Sequence, residues 1–261
     1  MSKAFVFGFA IGLTLFAVIG VGASRRQRDV QRDAEEKARQ ELAQYNAEIV
    51  DATPVQMAVR TERERIHGKL YRYQYLTNKT ISELLASPPS RILGIDLLIG
   101  QGQVLTESRS PESYFGELVR ASDVVIRGKV TKKASQITED GAFIFTDYDV
   151  SVMEILKDNS ASPLAPGSTI TVTRPGGKVV VEGIIVKARD RYFGPLPLSD
   201  HPVLLFLRYI PETAAYKAIN SFGAFEVDGS SIRPLTEEPL PPGILRNGVS
   251  PLQTVRAISS R

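Results

Sequence analysis

The sequence predicts an α+β protein: an N-terminal transmembrane helix and a helical stalk, followed by a small, mainly antiparallel β-barrel. Three observations carry this. Residues 4–23, AFVFGFAIGLTLFAVIGVGA, hold no charged side chain. Residues 24–50 place an apolar side chain every three or four positions on an otherwise charged segment. From Asp123 onward, short β-branched and aromatic runs alternate with Gly, Pro, Asn and Asp; that is the pattern of successive strands and turns. The chain divides into an anchor (1–23), a stalk (24–50), a mixed connecting region (51–110), a β-barrel domain (111–233) and a proline-rich tail with a short terminal helix (234–261).

At about 1.5 Å per residue, the first run reaches about 30 Å, the thickness of a bilayer's hydrocarbon core. Lys3 and Val21-Gly22-Ala23 imitate the basic start and cleavage site of a secretory signal. The length of the run, and Arg25, Arg26 and Arg28 directly after it, favour a retained signal anchor;. The expectation is a single-pass protein of the cell membrane. Arg25, Arg26, Arg28 and Arg32 outweigh Lys3, and the Lys/Arg bias would keep the body in the cytoplasm.

In the stalk, Val30, Ala34, Ala38, Leu42, Tyr45 and Ile49 form one narrow helical stripe. It suits pairing with a second copy or a solvated helix with a weak seam. Asp51 to Pro54 breaks that helix. Thr53-Pro54-Val55-Gln56 reads as a cap, a proline at the first helical position and a capping-box glutamine;. The helix it starts should run to about Ile66 and stop at Gly68. Lys69 to Tyr75 then reads as a strand with Tyr71, Tyr73 and Tyr75 on one face;. Ser87-Pro88-Pro89-Ser90 is a turn, and ILGIDLLI at 92–99 is a buried strand;.

Ser110-Pro111-Glu112 begins a short helix with Tyr114, Phe115, Leu118 and Val119 inward;. Strands follow at 123–131, 143–156, 169–174, 178–187 and 203–209, with a hairpin-like pair at 215–220 and 223–227. Five or more such runs predict a closed barrel or sandwich, and closure removes exposed edges. The segment from Pro234 to Pro242 is extended, and Ser250-Pro251 caps a terminal helix with Leu252, Val255 and Ile258 on one side;.

Charge narrows the functional classes. The net charge is +3. Residues 24–50 carry six basic and six acidic side chains, and residues 111–261 seventeen of each. No basic face of the kind nucleic-acid binding needs is present, so nucleic acid is not an expected partner. The tyrosines interleaved with Arg72 could stack bases, but a half-buried element explains them more simply. The absence of cysteine excludes disulfides, thiolate catalysis and Cys-ligated zinc or iron–sulfur sites;.

Catalytic motifs are missing as well. GxxxxGK(S/T), GxSxG, SxxK and HExxH do not occur;. His67 and His201, the only histidines, lie in different regions. Asp147 and Asp149 share one strand face, which suits acid–base work or a cation but equally the polar side of an amphipathic strand;. The one candidate binding element is the turn Arg174-Pro175-Gly176-Gly177-Lys178. Its backbone N–H groups and the flanking charges of Arg174 and Lys178 could hold an anion around Gly176 and Gly177;. No cofactor, metal or catalytic residue is implied.

The strand motifs carry a resemblance. They are LVRASDVVIRGKV at 118–130, YDVSVMEILK at 148–157, PGSTITV at 166–172 and VLLFLR at 203–208. The stretch from Glu117 to Phe225 resembles a recurring β-barrel module of bacterial envelope proteins, the netrin-like, metalloproteinase-inhibitor-like variant of the OB fold. Asp158 stands where that pattern usually has glycine, and the cysteines of the animal members are absent. The resemblance implies a fold and no chemistry. Such modules are usually exported, which tilts the barrel toward the extracytoplasmic side, against the arginine flank. The functions that fit are, first, a membrane-anchored, non-enzymatic module that binds a protein or envelope ligand. A structural protein self-associating through anchor and stalk comes next, and a hydrolase with an unrecognised site last.

Overall fold

The structure, a computed structural model, describes residues 30–55, 61–71, 80–86, 90–96, 110–190, 192–229, 231–237, 239–245 and 250–260. The chain falls into two units, Met1–Val50 and Asp51–Arg261. In the first, residues 30–49 form helix α1, whose stripe leaves Val30 and Leu42 exposed.

The membrane expectation is corrected here. Among the described residues no helix is long and apolar enough to cross a membrane. α1 has the length but carries Arg32, Asp33, Glu35, Glu36, Lys37 and Arg39, and charges of this density do not enter hydrocarbon. Residues 4–23, on which the transmembrane helix rested, lie outside the described residues. The fold class is therefore α+β with a β-rich region, and neither the transmembrane helix nor the single-pass membrane placement is supported.

The second unit begins with β1 (Thr53–Pro54), α2 (Glu62–Tyr71), α3 (Ile81–Leu85), β2 (Ile92–Asp96) and α4 (Pro111–Ala121). Next come β3 (Val124–Ile137), β4 (Ile144–Asp158), β5 (Thr169–Pro175), β6 (Gly177–Val181) and β7 (Ile184–Arg189). The chain then forms β8 (Val203–Ile210), β9 (Ala215–Ala218), β10 (Ala224–Asp228), β11 (Ser231–Pro234) and α5 (Pro251–Ser259).

One sheet has the order β11-β10-β8-β3-β4-β5-β9, and β9 also pairs with β8. The circuit β3-β4-β5-β9-β8 is thus closed. Every junction in it is antiparallel except β5 with β9. Alternation fills it: Val203, Leu205 and Leu207 of β8 meet Val124, Ile126, Tyr148, Val150, Val172 and Tyr216 inside. The even-numbered partners, Leu204 and Phe206, face outward under α4 and α5, against Phe115, Leu118, Phe225, Leu252 and Val255. Both helices start as their sequences require. Ser110 and Ser250 accept from the N–H groups of Ser113 and Gln253, with proline at the first helical position;. The predicted pairing of 215–220 with 223–227 does not form. β9 closes the barrel, and β10 extends β8 outward to β11.

A second sheet, β1-β6-β7-β2, stands beside the far half of the long β3–β4 hairpin. The strand expected over 178–187 folds back on itself at Glu182 and Gly183, both with positive φ (50° and 77°). That pair makes a two-residue hairpin turn with the twist antiparallel strands need. The tyrosine-bearing strand is corrected too. Tyr71 ends α2, and Gly68 lies buried inside that helix, packed close to Thr138 and Phe145. Tyr73 and Tyr75 lie outside the described residues. β3 shifts register at Val125/Ile126, Arg127/Gly128 and Val130/Lys132. Such bulges bend a strand, so one hairpin serves both the barrel and the outer sheet.

Candidate functional site

The predicted turn lies where the two sheets part. β5 ends at Pro175 in the barrel and β6 begins at Gly177 in the second sheet, so Gly176 carries the chain across. Behind it runs a line of buried hydroxyls. Thr146 Oγ1 donates to the Gly176 carbonyl at 2.7 Å and accepts from Ser135 Oγ at 2.8 Å. Ser135 Oγ in turn accepts the Lys178 N–H at 3.2 Å, and the Ser135 N–H donates to Thr53 Oγ1 at 2.9 Å. The Gly176 N–H donates to the Ile144 carbonyl. The N–H groups of Gly176 and Lys178 are therefore engaged within the fold, and an anion at this turn would meet side chains.

Those side chains line a cleft of about 440 Å³, a volume typical of ligand sites. Lys133 and Ser135 come from β3, Thr146 and Tyr148 from β4, Lys178 from β6, and Lys187 to Arg189 from β7. Phe193, Gly194 and Pro195 cover it from the following loop. Tyr148 belongs to the barrel interior as well, so the cleft opens at a mouth of the barrel. Burial raises the pKa of its hydroxyl;.

The cleft already holds carboxylates of its own chain. Asp51 bridges Lys133, at 2.9 Å, and Lys178. Glu237 accepts from Arg189 Nε at 2.9 Å. Partial burial pushes the Asp51 carboxyl up, but the two lysines outweigh it and hold it below its ordinary value;. Arg174 does not line the cleft. It is buried, donates to the Leu235 carbonyl at 3.4 Å and lies 5.5 Å from the centre of the Phe193 ring, a cation–π distance that props the loop. Asp190 fixes the same loop by accepting from the N–H groups of Tyr192 and Phe193.

The remaining candidates separate. His67, on α2 and fully buried, meets both oxygens of Asp147 through Nδ1 at 2.8 and 2.9 Å. Its Nε2 stands 2.9 Å from Thr213 Oγ1, in the turn between β8 and β9. A carboxylate only accepts, so Nδ1 carries the proton and a neutral ring takes the Thr213 hydroxyl as donor. Sequence reading missed this pairing; no spacing announces partners 80 and 146 residues apart. Asp149 shares the outer face but not the histidine. His201 lies exposed on another surface, 4.0 Å from Asp228. Asp158 has a structural role. Its carboxylate takes the N–H groups of Ser160 and Leu164 and the Ser160 hydroxyl, closing the loop after β4.

No protein-family model matches this chain, and no curated protein matches it.

Proposed function

We propose that this chain is a non-enzymatic binding module that takes an acidic, extended segment of a protein partner in the cleft at the Pro175–Lys178 turn. One observation supports the reading: this cleft pairs with carboxylates twice, Asp51 on Lys133 and Lys178 and Glu237 on Arg189. A partner's acidic side chains would find the same cations, with Tyr148, Phe193 and Pro195 as apolar wall. The test is calorimetric titration with a Glu/Asp-rich octapeptide and its Gln/Asn counterpart. Binding of the acidic peptide alone, weakened about tenfold by Lys187→Glu on the cleft rim, is expected. Equal binding of the neutral peptide, or none by either, overturns it.

A second reading has its own observation. Thr213, His67 and Asp147 are linked as nucleophile, base and orienting acid are linked in hydrolases;. Against it, the Thr213 and Ala214 N–H groups, which would have to stabilise an oxyanion, donate to the Ile210 and Pro211 carbonyls;. Labelling by a fluorophosphonate probe that Thr213→Ala abolishes would favour the hydrolase.

A further inference from the structure

Outside the barrel, on the strands that close it, Arg208 of β8 stands directly opposite Lys217 of β9. Like charges paired across antiparallel strands destabilise a sheet. No acidic side chain offsets this pair among the described residues. Arg208 reaches only the Ala121 carbonyl, at 3.5 Å, and Lys217 makes no hydrogen bond or ion pair there. Lys217 is half-buried, and burial, with Arg208 beside it, lowers its pKa;.

Both cations line a small cavity of about 90 Å³ with Tyr71, Thr173, Pro175 and Phe193. The Thr173 hydroxyl is fully buried and makes no hydrogen bond of ordinary geometry, although the Tyr71 phenol lies close enough to feel its dipole. The cavity equals roughly three waters' share of liquid volume. That is room for one oxyanion and too little for a nucleotide. Two cations and a buried hydroxyl converge on this space; the carboxylates that act on its wall, Asp147 and Asp190 at Tyr71, pair with neither cation.

We infer that the cavity between Arg208, Lys217 and Thr173 is a binding site for a small oxyanion of the phosphate or sulfate class. It is separate from the acidic-peptide cleft, although Pro175 and Phe193 wall both. An oxyanion there would accept from Lys217 Nζ, the Arg208 guanidinium and the Thr173 hydroxyl, turning a repulsive pair into a bridged one.

The test is thermal unfolding of the full-length chain in sodium phosphate or sulfate against sodium chloride of equal ionic strength. The wild type should gain about 2–4 °C in either oxyanion. Lys217→Met should lose that gain yet match or exceed the wild type in chloride, since it removes the like charge; a variant that merely misfolds would be less stable in both salts. Arg208→Gln should lose the gain as well. Stabilisation by inorganic phosphate alone identifies a free ion, and equal stabilisation by methyl phosphate identifies the end of an ester; both uphold the site. No gain in the wild type, or a gain that Lys217→Met retains, overturns it.

Discussion

His67 and Asp147 are eighty residues apart in the chain, yet the Nδ1 of one lies 2.8 Å from the carboxylate of the other. The contact ties α2 to β4, and Thr213 on the second ring nitrogen ties both to the turn before β9. Asp147→Ala would leave a buried N–H without an acceptor. It should cost about 1–3 kcal/mol in urea unfolding. Asp147→Asn keeps an oxygen in place and should cost less. Two variants as stable as the wild type would show that the histidine is not a fastening.

The Asp51 bridge carries a pH signature. A carboxyl depressed in the folded state adds stability above its unfolded value, near about pH 4, and that contribution is lost as the pH falls through the folded value. Asp51 is 47% exposed, so solvent screening limits the effect to about 0.5–1 kcal/mol;. Asp51→Asn should be less stable than the wild type by that amount at pH 7. The two unfolding curves should converge as the pH falls below that folded value;.

Gly177 has φ of 145°, and an added Cβ would stand 2.6 Å from Ser135 Oγ. Gly177→Ala should therefore displace the hydroxyl line behind the turn and cost about 3 kcal/mol, from strain and overpacking together. Tm should fall by roughly 6–12 °C. A drop under about 2 °C would mean that the turn relaxes without resistance.

Phe115 is fully buried between Tyr114, Phe206 and Phe225. Phe115→Ala should cost about 3–5 kcal/mol by guanidinium unfolding, because the ring leaves a void that rigid neighbours cannot fill. Phe115→Leu should recover more than half of the loss.

Glu154 binds Arg256 of α5 at 2.8 Å and Arg127 of β3 at 3.1 Å. Arg256 is the chief reason its carboxyl stays below the ordinary range. Glu154→Gln should loosen the terminal helix by about 1 kcal/mol. Amide exchange at Val255 to Ile258 should then quicken roughly fivefold while exchange in β3 and β4 is unchanged.

Part of this molecule is legible in its amino-acid sequence. Ser110-Pro111 and Ser250-Pro251 announce α4 and α5, because a cap and a proline act on the residues beside them;. Alternation along VLLFLR and YDVSV tells which side chains face the barrel interior, since the period of a strand is local geometry;. Other features are not legible. Gly68 has the look of a helix breaker and is a contact with Thr138; the run 178–187 has the look of one strand and is two. The apolar run 4–23 and its membrane reading find no support among the described helices. The candidate turn is visible as Arg174 to Lys178, but not that Arg174 is buried beneath Phe193, nor that Asp51 occupies Lys133 and Lys178.

The sequence by itself determined the local periods, the caps, the chemistry excluded by the missing cysteines, and the residues with charge to offer. Only the tertiary structure decided which charges meet. Asp51 with Lys178, His67 with Asp147, and Arg208 opposite Lys217 depend on barrel closure and on the chain crossing between sheets. Such contacts follow from the packing of whole elements, and no short-range preference encodes them.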